Sequence, residues 1–303
     1  MDQPGDQPRV EQLKSTAPVI TTRRGLRGWR LATGLTVLAL WAGGLAMLAR
    51  RELLKPVSVR LVEAALGVQP SSHYYVLERD GRPIGGATAE VDTTGYGFVF
   101  RQHVFGRLLE GDSSVIVIRI RSSYTPALAF GGFRIALERG SDSLVMTGQR
   151  TEDSVLIVTT ETGGTPGPRR RLKAGDPLFL PPAAALPLVL LNRPRRGLRA
   201  DVHIFDPLRQ QARTLPLTVA RESVFVLVDS ATFDTTARRW VPARRDTVRA
   251  WLVSSDSTVV RAWVDRSGRI VVASDGLGMR AERSAYEIAY ENWRLSQAEQ
   301  SEP

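Results

Sequence analysis

Cysteine is absent from this sequence of 303 residues, and its absence removes several classes of function. The chain has no thiol for a disulfide, a thiolate metal ligand, a catalytic nucleophile or the lipid anchor of a bacterial lipoprotein. Histidine is nearly as scarce, since only His73, His103 and His203 are present. No two of them have the spacing of metal ligands on one element. We therefore predict no metal site and no cofactor, against the alternative of a three-histidine zinc site.

Lysine is also rare, because Lys14, Lys55 and Lys173 are the only lysines among 41 basic residues. Arginine therefore supplies almost all of the positive charge, and the net charge is +10. Residues 1–66 contain ten basic and five acidic side chains, which accounts for half of the excess. An arginine bias along the whole chain indicates a GC-rich genome rather than a phosphate-binding face, so we predict no nucleic-acid partner.

Residues 31–49, LATGLTVLALWAGGLAMLA, form a run of 19 residues without a charge. A helix of about 20 apolar residues spans a bilayer core, so we predict a single transmembrane helix. Its membrane-interface residues are Trp29, Arg30, Arg50 and Arg51. The alternative is a signal peptide cleaved near Gly44-Leu45-Ala46, which the long leader and the long apolar run disfavour.

The segments on either side of the apolar run predict its orientation. Residues 1–30 are polar and rich in proline and glutamine, which predicts a disordered cytoplasmic tail. They carry six basic side chains, whereas residues 50–60 carry four. This bias favours a bacterial inner-membrane protein with its C-terminal domain in the periplasm or another extracytoplasmic space. Residues 50–69 are predicted to form a juxtamembrane linker helix.

Residues 70–283 have the alternation of β-strands. In one stretch Ile116, Ile118 and Ile120 share a face, and Arg119 and Arg121 share the other. Ten further strand candidates follow at short intervals, separated by turn dipeptides such as Asp80-Gly81. The sequence therefore predicts a mainly β exported domain, an antiparallel curved sheet or half-barrel.

Two segments with helical features accompany these strands. Residues 181–192 are strongly apolar, and residues 284–303 form a C-terminal helix and tail. Ser284 and Glu287 predict a capping box at the start of the second helix. Its apolar face is formed by Tyr286, Ala289, Tyr290 and Trp293. We predict that one or both helices cover the apolar face of the sheet.

Catalytic motifs are weak. Asp92 in VDTTGYG and Asp229 in VFVLVDSAT resemble the paired motifs of aspartic hydrolases. Ala231 stands where that motif needs glycine, so capped strand ends are the favoured interpretation. There is no G-x-S-x-G and no phosphate-binding glycine loop, and we predict no catalytic residue.

Three basic stretches suggest a further alternative. They are either solvated hairpin tips or a rim facing anionic lipid head groups. The solvated reading is favoured, because runs of charge usually mark solvated surface. The stretches are residues 169–173, 193–199 and 238–245.

Two stretches resemble a bacterial exported domain of unknown function that precedes transglutaminase-like peptidase domains. YYVLERDGRPIGG, residues 74–86, resembles its opening, with Asp80-Gly81 and Ile84-Gly85 in the matching places. AWVDRSGRIV, residues 262–271, resembles its last hairpin. The domain is also similar to half-barrels of the periplasmic lipoprotein-carrier type. The resemblance implies an accessory domain only, because a transglutaminase-like module needs a cysteine that this chain lacks.

These observations lead to one expected function and two alternatives. We expect a membrane-anchored, non-catalytic periplasmic β domain that binds an apolar ligand (a lipid or acyl chain) or an envelope protein. The sequence identifies no ligand-binding residues. The first alternative is an interaction scaffold with a fully packed sheet, and the second is an aspartic-type hydrolase.

Overall fold

The computed structural model describes residues 36, 38–45, 47, 63, 68–109, 111, 113–151, 154–175, 178–191, 194–255, 261–275 and 278–301. The chain divides into two compact units, Met1–Lys55 and Pro56–Pro303. In the first unit, residues 36, 38–45 and 47 are helical. No helix within the described residues is both long enough and apolar enough to cross a membrane. The predicted tail and the interface residues Trp29, Arg30, Arg50 and Arg51 lie outside the described residues, as does most of the predicted linker helix.

The second unit is built on one large, curved, unclosed sheet of sixteen described strands. Neighbouring strands are antiparallel except for β10 and β11, and β9 pairs with β7. The order across the sheet is β10-β11-β12-β13-β14-β15-β16-β1-β2-β3-β4-β5-β6-β7-β8. The strands are β1 Ser71–Arg79, β2 Arg82–Thr94, β3 Gly97–Gly106, β4 Ile116–Tyr124, β5 Phe130–Arg139, β6 Asp142–Arg150, β7 Val155–Thr162, β8 Thr165–Pro166, β9 Arg170–Lys173, β10 Leu178–Phe179, β11 Arg199–Asp206, β12 Gln211–Asp234, β13 Arg239–Ser254, β14 Arg261–Asp265, β15 Ile270–Ser274 and β16 Met279–Ser284.

The mainly β prediction is confirmed, and each predicted strand overlaps an observed one. The sequence prediction does not include the 13-residue β2 or the six-residue β16. β2 is rich in glycine and alanine, and β16 is short and half of its residues are charged, so neither has a clear period of two. β16 pairs with β1 along its whole length and so joins the two halves of the sheet. The β12–β13 hairpin, with strands of 24 and 16 residues, is also much longer than predicted.

Successive residues of a strand point to opposite faces of a sheet. One face, called the core face here, carries Phe100, Ile120 and Tyr124 and contains the largest apolar cluster. A 3₁₀ turn, Pro181–Ala183, and a short helix α1, Ala185–Leu191, pack against it. The Leu180 amide donates to the Tyr124 hydroxyl at 3.3 Å, and the Tyr124 ring stacks on Phe179. The described part of the predicted apolar segment, residues 181–191, therefore covers the core face.

The C-terminal helix lies on the opposite face. It begins with a π-helical turn, Glu287–Glu291, and continues as α2, Asn292–Ser301. The predicted Tyr290 face is confirmed, because the Tyr290 ring lies 4.5 Å from Phe105 and its hydroxyl contacts Thr88 and His103. Thr88 and His103 point away from the core face. Of the two segments predicted as covers, only the one at Pro181–Leu191 therefore packs on the core face.

The predicted capping box is also wrong. Ser284 is the last residue of β16 and pairs with Tyr74, so its backbone belongs to the sheet. The residue at the N-cap is Tyr286, which makes no side-chain cap hydrogen bond. The π turn packs closely because β2 has glycine beneath it. A Cβ on Gly86 would lie 2.7 Å from the Ala289 carbonyl oxygen, so a side chain there would push the turn away.

We predict that Tyr290→Phe lowers the free energy of unfolding by about 1–2 kcal/mol. The change keeps the aromatic packing but leaves the Thr88 hydroxyl, which is buried, without its 2.6 Å hydrogen bond. Urea unfolding followed by circular dichroism measures the change. Tyr286→Phe is the matched control, because that side chain is 41% exposed, and it should alter stability by much less. Equal effects of the two substitutions would contradict this docking role.

Candidate ligand-binding cleft

The candidate site is a cleft of about 510 Å³ on the core face. Its walls are strands β1–β3, the 3₁₀ turn and α1, and the Asp265–Ile270 turn between β14 and β15. A hollow of about 30 Å³ adjoins it beside Leu180 and Ala183, deeper in the core. The cleft lies beside α1, at the point where this helix no longer covers the sheet. The core face is therefore packed under α1 and open next to it.

The Asp265–Ile270 turn is held by the carboxylate of Asp265. One oxygen, Oδ1, accepts hydrogen bonds from the amides of Ser267 at 2.9 Å and Arg269 at 3.1 Å. The other, Oδ2, pairs with Arg283 at 3.0 Å. These two side chains are only 11% and 13% exposed, so the ion pair is largely removed from water. Removing one partner of such a pair typically costs about 3–5 kcal/mol.

Gly268 brings this turn against α1. Its φ of +78° lies in the left-handed region, which glycine adopts without the strain that a Cβ introduces. A Cβ there would also lie 2.7 Å from Leu186 Cδ1 and 3.3 Å from Leu186 Cα. The turn therefore touches the helix backbone, and the two elements form one continuous wall of the cleft.

His73 supplies an unpaired polar group in the opposite wall. Its Nε2 is buried and has no hydrogen-bond partner among the described residues. The pKa of His73 is lowered to about 4, first by burial and then by the nearby Arg283 and Arg269, while Asp265 acts in the opposite sense. At neutral pH the imidazole is uncharged, and one ring nitrogen is free to donate or accept a hydrogen bond.

The rest of the lining separates into an apolar wall and a polar rim. Tyr75 belongs to the wall, and its hydroxyl donates to the Ile270 carbonyl at 3.0 Å, which ties β1 to the turn. Burial raises the pKa of Tyr75 well above its usual range, so this hydroxyl stays protonated. The apolar lining residues are Val68, Ala89, Val91, Phe100, Leu186 and Ile270. The polar ones include Gln69, Gln102, Arg266 and Arg269. Glu90 and Arg101 also border the cleft, although their register places their side chains on the opposite face of β2 and β3.

The sequence-predicted candidates do not assemble into a site. His103 lies on the face opposite His73, and His203 lies on β11 beside Thr214, near one edge of the sheet. Within the described ranges, no group of three or more histidine, aspartate or glutamate residues has the arrangement of a metal site. Asp92 pairs with Arg101, and Asp229 pairs with Arg244. Five strands separate β2 from β12, so these aspartates do not form a carboxylate pair.

Comparisons with known proteins give no family. No family model matches the chain, and no curated protein matches it. A β-barrel-like protein of the domain of unknown function DUF1849 from Brucella abortus is 12% identical, with a TM-score of 0.46 over 72% of this chain and 97% of that chain. A DUF1089 family protein from Pseudomonas aeruginosa is 9% identical, with a TM-score of 0.34 over 61% of this chain and 87% of that one.

We predict that Gly268→Ala lowers the free energy of unfolding by about 1–3 kcal/mol, because alanine is strained at positive φ and meets Leu186. Thermal unfolding measures the loss. Gly140→Ala is the control, because Gly140 also has positive φ but has open space around the added Cβ. A loss no greater than that of the control would contradict direct contact between the turn and α1.

We predict that His73 makes the protein less stable in acid. Its pKa is lower in the folded state, so the unfolded chain binds the proton first as the pH falls. The stability conferred by the neutral imidazole is complete above pH 6.5 and is lost as the pH approaches about 4. After allowance for partial solvent exposure, the loss is about 1–2 kcal/mol.

His73→Gln should flatten the pH dependence of unfolding between these values, measured by urea titration at each pH. His203→Gln, outside the cleft, should keep the wild-type slope. A wild-type slope in His73→Gln would show that the buried imidazole does not control it.

Proposed function

We propose that this chain is a membrane-anchored, non-catalytic β domain that binds an amphiphilic ligand in the cleft beside the Asp265–Ile270 turn. The observation that carries the proposal is the buried, unpartnered Nε2 of His73 in the wall of a recess that is lined by apolar and polar side chains alike. Concave sites for small molecules combine apolar lining with a few polar groups that fix the orientation of the ligand, and this cleft supplies both kinds of group.

The lining indicates the chemistry of the ligand. Apolar side chains suit an aliphatic body such as an acyl chain, and the volume lies within the usual range of ligand sites. Neutral His73 favours a hydroxyl, ester or carboxyl group at one end of that body, since an unpaired buried nitrogen is costly until it gains a hydrogen bond. Arg266 and Arg269 at the rim favour a neutral or anionic head group over a cationic one.

The location of the domain is part of the proposal. The charge-free run at residues 31–49 and its flanking arginines support an anchor in a bacterial inner membrane, with the β domain outside the cytoplasm. In that setting the ligand is a lipid or a lipid-derived molecule of the envelope.

Any chemistry applied to the ligand would belong to a partner. The resemblance to domains that precede transglutaminase-like modules suggests an envelope protein carrying the cysteine that this chain lacks. One observation favours such a docking role. Val224 and Val226 share a face of β12 and are 57% and 61% exposed, which leaves an apolar strip on the long hairpin.

Native mass spectrometry of the full-length chain tests ligand binding. We predict an additional mass from a co-purifying lipid, or saturable binding of added dodecanoic acid. Ala89→Leu projects a larger side chain into the cleft, so it should reduce binding at least about tenfold. Ala231→Leu makes the same change on the β12–β13 hairpin and should bind as the wild type does.

Two results would refute the ligand proposal. One is a chain that carries no added mass and does not bind dodecanoic acid. The other is binding that Ala89→Leu leaves unchanged, since that ligand would lie elsewhere. Either result would favour the scaffold alternative, in which the sheet acts only as a docking surface.

A further inference from the structure

A row of arginines crosses the face of the sheet opposite the cleft. Arg101 on β3 is directly opposite Arg121 on β4, and Arg121 is directly opposite Arg134 on β5. Neighbouring strands lie about 4.8 Å apart, so the three side chains start from adjacent points along a line of about 10 Å. The row continues on β6 and β7 with Thr147 and Thr159, whose hydroxyls share a hydrogen bond of 3.0 Å.

The charge of this row is only partly compensated. Arg101 pairs with Asp92 at 3.3 Å, and Glu90 lies opposite Arg101. Arg121 and Arg134 are exposed, and neither forms an ion pair with any residue that the structure describes. Like charges directly opposite each other on neighbouring strands destabilise a sheet. The fold therefore bears a small electrostatic cost at Arg121 and Arg134 that a bound anion would relieve.

The row lies between two open depressions of about 430 and 640 Å³, and Arg121 and Arg134 line both. Arg119 borders the first, where it pairs with Glu138, and Arg169 borders the second. The floor of the second depression contains small and hydroxyl-bearing residues, which leave room for a ligand and offer hydrogen-bond donors. They include Ser123, Gly131, Gly132, Thr147 and Thr159.

We propose that Arg121 and Arg134 bind a phosphate-type oxyanion on this face, at a site separate from the cleft. One guanidinium matches one carboxylate with two parallel hydrogen bonds. Two adjacent guanidinium groups without ion-pair partners can bind more acceptor oxygens and more negative charge than one carboxylate supplies. A phosphate group has both the additional oxygens and the additional negative charge. Ser123, Thr147 and Thr159 line the second depression and add hydroxyl groups to its floor.

Arg121 and Arg134 differ from most arginines of this arginine-rich chain in where they lie. Charged side chains at hairpin tips and in loops extend freely into water. Arg121 and Arg134 lie inside β4 and β5, where the backbone register holds them side by side. The anion could be a free phosphate or the head group of an anionic lipid, because both present the same oxygens.

Isothermal titration calorimetry of the full-length chain in a neutral detergent tests the site with two probes. Inorganic pyrophosphate represents the soluble source, and dihexanoyl phosphatidylglycerol below its micelle concentration represents the lipid source. We expect saturable binding of at least one probe that weakens as salt is added. The double substitution R121Q and R134Q should weaken it by at least about tenfold, since each lost charge-assisted bond is worth a severalfold change or more.

Arg82→Gln is the matched control. Arg82 is also exposed, begins β2, and lies outside both depressions, so binding should not change. Dihexanoyl phosphatidylcholine controls for binding through the acyl chains, because its head group carries no net charge. Binding of pyrophosphate alone assigns a soluble phosphate, binding of phosphatidylglycerol alone assigns a lipid head group, and both results support the site.

Three results would overturn the proposal. They are no saturable binding of either probe, unchanged binding by the double variant, and binding only of lipids with equal affinity for the two head groups. A stability measurement separates loss of the site from loss of the fold. Without ligand, Arg121→Gln relieves the repulsion within the row and should raise the Tm by about 1–2 °C.

Discussion

The buried ion pair between Asp265 and Arg283 is the interaction on which the cleft depends. Arg283 reaches from β16 across β15 to the end of β14, so the pair holds three strands in one arrangement. The same aspartate accepts two amide hydrogen bonds inside its own turn. Its charge is therefore satisfied from both sides, which offsets the cost of removing it from water. The turn that results is rigid enough to serve as a wall.

That turn connects the two chemical features of the site. It presses Gly268 against α1 on one side, and the carbonyl of Ile270 accepts from Tyr75 on the other. His73 lies two residues before Tyr75 on the same face of β1, so the position of the imidazole follows from that contact. The arginines around the ion pair also help to keep His73 uncharged. The Asp265–Arg283 pair and its turn therefore determine both the shape of the cleft and the uncharged state of His73.

Much of the fold could be predicted from local patterns. The alternation of Ile116, Ile118 and Ile120 with two arginines identified β4, and the apolar run at residues 181–192 identified the cover of the core face. β2 and β16 escaped because one is built from small residues and the other from charged ones. β2 forms a local hairpin with β1, whereas the place of β16 is decided by pairing with β1 across about 200 residues. No local pattern contains that information.

The candidate site was less accessible to sequence reasoning, for the same reason. The sequence resemblance indicates a hairpin at residues 262–271, but the contacts of its turn with Leu186 and Tyr75 link distant parts of the chain. In the sequence His73 is one of three scattered histidines. No motif around it indicates a binding site. Only the register of β1 with β16 shows that Arg283 and the turn lie beside it.

The same strand register that aligns the arginine row on one face of the sheet also aligns apolar side chains on the core face. Directly behind Arg121, Arg134 and Thr147, the core face carries Ile120, Ile135 and Met146, which are also cross-strand neighbours. A slip of one residue between these strands would separate the arginines but would turn them toward the apolar core. Because that slip would bury charge, the strands cannot relieve the repulsion by moving. The arginines are therefore held side by side by the apolar packing behind them, and only an anion from outside can neutralise them without disturbing the sheet.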